Sequence, residues 1–339
     1  MNSTASPDTE EVAPGTVIGS RTLRAVGIPI VVATALLAVF AGLIYGGGVA
    51  VLTLGDPGPV VRWGLPIAKL FVNLAAAGMV GVLVTALFTL RAGERAFEVA
   101  MNTVSIAAAV FTLAAGATGF LTFLLVFNPA VNVGALFGEQ LGQFLLETEV
   151  GRTWLITTIW GAVLTLLAFA VRSWTAMFFV AILAVAALVP MGTQGHSGED
   201  AYHHEAMTAL ILHIIGAAVW LGGLILLITI RPRLDQSRIV DVVARYSSIA
   251  LAAFVLVTVS GIVRSVIGLS EWASLASPYG AILGVKIIVL VAVGLLGAWY
   301  RNRIIGKMRD FATVSRSFWA LISLELALSL IHISEPTRH

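Results

Sequence analysis

The sequence predicts an all-α protein, a polytopic transmembrane helical bundle of about eight or nine spans with its N-terminus in the cytoplasm. Three observations carry that expectation. Of 339 residues, 58% are hydrophobic and only 11% charged, whereas an ordinary soluble domain carries about 25% charged residues. Apolar runs of about 20 residues recur along the chain, each long enough to cross a hydrocarbon core of about 30 Å as a helix. The runs are continuously apolar and do not alternate, so helices, which satisfy their own backbone in lipid, are expected in place of a barrel.

Residues 1–24 are expected to be a disordered cytoplasmic tail, since the stretch is polar and rich in Ser, Thr, Pro and Glu. The apolar run after it is too long for a signal-peptide core and no clear cleavage site follows, so it reads as a retained span. Residues 25–330 form the transmembrane domain on this reading. The ending "ISEPTRH" resembles translated vector sequence, and residues 331–339 are taken as a non-native tail.

Nine apolar segments can be drawn, at 26–54, 64–90, 100–127, 153–171, 174–191, 206–230, 246–269, 279–300 and 317–333. With the N-terminus inside, Arg91, Arg95, Arg172, Arg231, Arg233, Arg301 and Lys307 all fall on the cytoplasmic side. The outer loops hold few cations, chiefly Arg62 and Arg152, and most of the loop acids. That asymmetry is the positive-inside pattern. Between 133 and 151, Leu136, Phe137, Leu141, Phe144 and Leu145 recur at helical spacing among polar residues, which predicts a short helix in the membrane interface. Arg172 and Ser173 alone separate the fourth and fifth segments, which predicts a tight antiparallel hairpin.

The chain has six histidines and no cysteine. Disulfides, thiolate metal sites and Cys nucleophiles are therefore excluded, and soft-metal chemistry falls to His and Met. His196, His203, His204 and His213 cluster within "GTQGHSGEDAYHHEAMTALILHIIGAAVWLGG". Copper and zinc accept imidazole, and thioether sulfur favours Cu(I). A helix beginning near Tyr202 places His203 and Met207 at i and i+4, on one face. His196 stands on a glycine-flanked turn and could fold back, with His204 or Met191 as a further ligand. Glu199, Asp200 and Glu205 add negative potential. Solvated loop histidines explain the trio equally well from spacing alone.

His213 differs, because it lies about 12 Å into the sixth segment at 1.5 Å per residue. An imidazole at that depth needs a partner and is a functional candidate by default; a neutral ring bonded to a neighbouring helix is the bland alternative. Gly216, Ala217, Trp220 and Gly223 share its face, and small residues there permit close helix approach. Lys69, Arg264 and Lys286 also fall inside apolar segments, in the outer third. Lys69 and Arg264 are near enough to helix ends to snorkel. Lys286 is deeper, and Glu325 in the ninth segment lies within roughly 7 Å of its depth, so Lys286 and Glu325 are expected to pair.

The stretch from Gly195 through Trp220, Gly222 and Gly223 resembles the signature of the copper resistance protein D family, in which a polar His loop leads to a helix carrying a His and a Trp-x-Gly-Gly turn. "EVGRTWLITTIW", "RYSSIALAAFVLVTVSGI" and "SPYGAILGVKIIVLVAVGLLGAWYRNR" resemble further helices of that family, so the likeness covers roughly 151–325. The resemblance implies copper passage across, or handling at, the bacterial cytoplasmic membrane, with His196, His203, His204 and His213 as copper contacts. It also implies a periplasmic copper-binding partner, and in some members a cytochrome c oxidase assembly domain following the bundle. Two other readings stand beside it. His213 could be an axial ligand of haem b in an electron carrier, although only His213 is intramembrane. A scaffold for oxidase assembly or copper delivery is the third. No Walker loop, Gly-x-Ser-x-Gly elbow or zincin helix occurs, so no enzyme, and no nucleic-acid partner, is expected.

Overall fold

The computed structural model describes residues 33, 36, 37, 39–45, 49–51, 55–128, 135–193, 203–268 and 278–304. The expected tails at 1–24 and 331–339 and the ninth segment lie outside these. Every regular element among the described residues is helical. The first is α1 (Pro59–Ala76), which runs through a π-helical turn (Ala77–Gly81) into α2 (Val82–Thr89). Then come α3 (Arg95–Phe127), α4 (Ala135–Glu147), α5 (Glu149–Ala170), α6 (Trp174–Ala186) and α7 (Val189–Gly192). The chain ends its described part with α8 (His203–Ile230), α9 (Gln236–Gly268) and α10 (Pro278–Ile304). Residues 39–45 are helical as well.

Six stretches among the described residues are long and apolar enough to cross a membrane, and α10 adds a shorter apolar core at Leu283–Trp299. The protein is thus a multi-pass helical membrane protein. Several helices begin earlier than the apolar runs suggest: α3 starts at Arg95, α5 at Glu149 and α9 at Gln236. Hydropathy marks only the part in hydrocarbon, and polar first turns continue the helix beyond it. The expected single segment at 174–191 is two helices, because α6 stops at Ala186 and α7 restarts with Pro190 in its first turn. Proline has no N–H to give to an earlier carbonyl, so it starts a helix more easily than it continues one.

Local signals explain the other ends. Pro59 opens α1 after Gly58, which has φ 86°. Thr148 caps α5 by accepting a 3.0 Å hydrogen bond from the Gly151 amide. Three residues, 171–173, turn α5 into α6, so the tight hairpin is present. The short helix expected between 133 and 151 is also present, as α4. Its Phe137 and Phe144 rings pack on Phe123, with centroids 5.4 and 5.7 Å away, while Leu136 and Leu146 stay exposed. Four aromatic rings, counting Phe127, thus pin α4 to the end of α3.

The most extensive packing is of α3 on α5, α8 on α9 and α1 on α3. The π turn and α2 pack on α8, and the span Pro59–Thr89 is the most enclosed of the six. Its centre is a glycine crossing. A Cβ on Gly81 would stand 2.7 Å from the Cα of Gly222 and overlap the carbonyl of Ala218. A Cβ on Gly222 would overlap the Ala77 carbonyl and Gly81 itself. Two backbones therefore touch where only glycine fits, the membrane form of small-residue packing. Between α3 and α5 the buried polar groups are Ser105 and threonines. Ser105 donates across to the Ala168 carbonyl at 2.8 Å, and each buried threonine hydroxyl donates to the carbonyl four residues earlier, as Thr118 does to Ala114 at 2.7 Å. Thr112 and Thr165 also meet across the interface at 3.1 Å.

The basic loops share one end of the bundle. Arg238, at the start of α9, donates to Glu94 Oε1 at 2.8 Å and to the Thr89 carbonyl at 3.0 Å. That carbonyl belongs to the last turn of α2, where no later amide of the helix can reach it. Arg172 reaches Ser105 of α3 at 3.3 Å from the α5–α6 turn. The start of α8, with its histidines, lies at the opposite end.

Candidate functional site

Helix α8 organises the site. His213 lies well inside it and is half-buried. Its Nδ1 is 3.2 Å from the carbonyl oxygen of Val257 and 3.2 Å from the hydroxyl of Ser260, both on α9. The ring lies beside Gly261, where a Cβ would meet its Cε1 at an ordinary contact distance of 3.5 Å. The imidazole is therefore held by polar groups on the neighbouring helix. A polar side chain within an apolar span requires such partners.

Two turns further along, Trp220, Gly222 and Gly223 form the joint that holds α8 in place. Gly222 takes the crossing with Gly81. Gly223 carries the ring of Tyr246, which a Cβ would overlap. The Tyr246 hydroxyl donates to the Trp220 carbonyl at 2.8 Å, and the Trp220 ring meets Phe254 edge-on at 5.5 Å. The Trp-x-Gly-Gly turn is thus a packing device with three distinct neighbours, and its two glycines face different helices.

Near its start, α8 carries the loop candidates. His203 is its first residue, so His203 and Met207 do stand at i and i+4 of one helix. His204 is exposed and Met207 half-buried. Met191 is buried in α7, and the next residue, Gly192, packs against Ile211, one turn along α8 from Met207. The end of α7 therefore rests on α8 beside the Met207 turn. His196 and the rest of the polar loop lie outside the described residues. Among those described, no group of three or more His, Cys, Asp or Glu side chains is placed to hold a metal.

Of the other intramembrane charges, Lys69, Arg264 and Lys286 are half-buried in α1, α9 and α10. Glu325, the expected partner of Lys286, lies outside the described residues. At the basic end the Glu94 carboxyl is perturbed. Burial pushes its pKa up, but hydrogen bonds from Arg238 and the Arg91 amide, with the charges of both arginines, outweigh that and leave it below the usual carboxylate range.

Sequence reading missed Ser260, the π turn and the Arg238–Glu94 pair. The dipeptide Ser260–Gly261 was a visible polar, small break in an apolar run. Nothing in the spacing of Glu94 and Arg238 links positions so far apart in the chain.

A multi-pass helical bundle, with a glycine crossing at its centre and an imidazole hydrogen-bonded to the neighbouring span, defines a helical membrane protein. The profile of the copper resistance protein D-like N-terminal domain matches residues 60–203, and that of copper resistance protein D matches residues 240–334. The chain belongs to the copper resistance protein D family. Neither the curated proteins nor the solved structures offer a match. The first profile spans α1 to α7 and the second covers α9, α10 and beyond. Most of α8 falls between them.

Proposed function

We propose that this chain carries copper across the bacterial cytoplasmic membrane. Copper is the cargo. It is captured at the outer face by the polar loop, through His196, His203 and His204 with Met191 and Met207 as thioether donors, and is passed to His213 inside the bundle. The observation that best supports this is the position of His213: a half-buried imidazole within a span, ten residues along α8 from His203, or about 15 Å by helical rise. Imidazole and thioether are donors that copper accepts, and the chain has no cysteine to compete for the ion. Glu199, Asp200 and Glu205 draw the cation to the loop. The basic end is cytoplasmic on this reading. A periplasmic copper-binding protein would supply the ion, and an oxidase assembly domain would be one recipient.

Competition with a Cu(I) chelator tests the capture step. Purified protein with His196, His203 and His204 all replaced by Ala should hold copper more weakly than the unaltered protein. Equal affinity would remove the loop from the path. The visible spectrum of the same preparation should show no Soret band; a Soret band with split reduced bands would favour the haem carrier.

A further inference from the structure

We infer that α9 fixes the tautomer of His213, and that Ser260 is the positioning residue which, with the Val257 carbonyl, keeps the proton on Nδ1 and the lone pair on Nε2.

The Val257 carbonyl has no hydrogen, and it approaches Nδ1 to 3.2 Å. An unprotonated Nδ1 would set one lone pair against another. The Ser260 hydroxyl lies 2.6 Å from the Leu256 carbonyl and 3.1 Å from that of Val257, against 3.2 Å from Nδ1. Its hydrogen goes to the shorter bond within its own helix, which leaves its oxygen as an acceptor. Both atoms facing Nδ1 therefore accept, and Nδ1 must donate. The neutral ring then carries its lone pair on Nε2. Histidines that bind metals commonly have this arrangement, the second ring nitrogen donating to a carbonyl or similar oxygen, which fixes ring orientation and raises donor strength. Ser260 is 3% exposed, so water does not substitute readily for its oxygen. The role of Ser260 in ion passage rests on the reading that His213 is a copper ligand; the tautomer does not.

The full chain, labelled with ¹⁵N in its histidine rings and placed in liposomes without metal, gives the test by solid-state NMR. His213 signals are those lost in His213→Ala. At a pH where the ring is neutral, the unaltered protein should show a protonated Nδ1 and an unprotonated Nε2. Ser260→Ala should add a population with the proton on Nε2, and Ser260→Thr, which keeps the hydroxyl, should restore the original pattern. In a background lacking the loop histidines, Ser260→Ala should weaken copper binding about tenfold, again with rescue by Thr. An unprotonated Nδ1 in the unaltered protein, or a Ser260→Ala pattern identical to it, would overturn the inference. The expected tautomers with copper binding indifferent to His213→Ala would uphold the tautomer assignment and overturn the ion-carrying reading alone.

Discussion

The hydroxyl of Tyr246 donates a 2.8 Å hydrogen bond to the backbone carbonyl of Trp220, with the tyrosine ring lying on Gly223. This contact ties α9 to α8 one helix stretch beyond His213, and the His213–Ser260 contact ties the same pair again. The relative position of the two helices is thus fixed at two levels. Tyr246→Phe keeps the ring and removes one bond, so a loss of about 1 kcal/mol is expected. Thermal unfolding in detergent measures it. Gly223→Ala should be more damaging, because the ring must move.

The crossing of Gly81 and Gly222 should tolerate no side chain. Alanine at Gly222 places a Cβ into the backbone of the π turn, and backbone cannot swing aside as a side-chain tip can. A loss of about 3 kcal/mol is expected. Gly297→Ala, which meets nothing within 4 Å among the described residues, is the control and should leave the unfolding midpoint unchanged or slightly raised. Equal midpoints for the two variants would contradict the crossing.

Much of this architecture is legible in the sequence. Uninterrupted apolar runs forced helices, and His213 stood out because an imidazole in such a run has no ordinary reason to be there. The short helix α4 was legible through leucines and phenylalanines at helical spacing against a polar background. The partners of His213 were not. Ser260 bonds to its own helix, as serines in spans generally can, so its presence in "VTVSGI" carried no mark of a second role. Nor was the π turn visible: Ala77–Gly81 is as apolar as its flanks, and its altered winding shows only in the backbone. Trp220, Gly222 and Gly223 were recognised as a motif, but which neighbour each glycine serves is a fact of packing.

At the basic end, stability should depend on pH through Glu94. Its carboxyl is held below the usual carboxylate range, so the folded state binds that proton less readily than the unfolded chain. The contribution is therefore complete above the unfolded pKa and is lost as pH falls through the lower folded value. The midpoint difference between the unaltered protein and Glu94→Gln should be largest near neutral pH and should shrink below about pH 4. A difference that is flat across that range would mean the pair adds no pH-dependent stability.

Sidedness can be tested at one position. A cysteine at Ser197, in a chain that otherwise has none, should react with an impermeant thiol reagent in intact cells. Reaction only after lysis would place the histidine loop inside and reverse the proposed direction of capture.

The central claim is that copper passes from the loop to His213, and isotopic copper uptake into cells expressing matched amounts of each variant tests it most directly. Replacing His196, His203 and His204 should slow uptake at low copper, with partial rescue when copper is abundant, because those ligands only gather the ion from water. Replacing His213 by Ala should abolish uptake at every copper concentration while the loop still binds, since the other described histidines, His203 and His204, stand at the very start of α8. Uptake by His213→Ala at the level of the unaltered protein would take His213 out of the path and contradict the account.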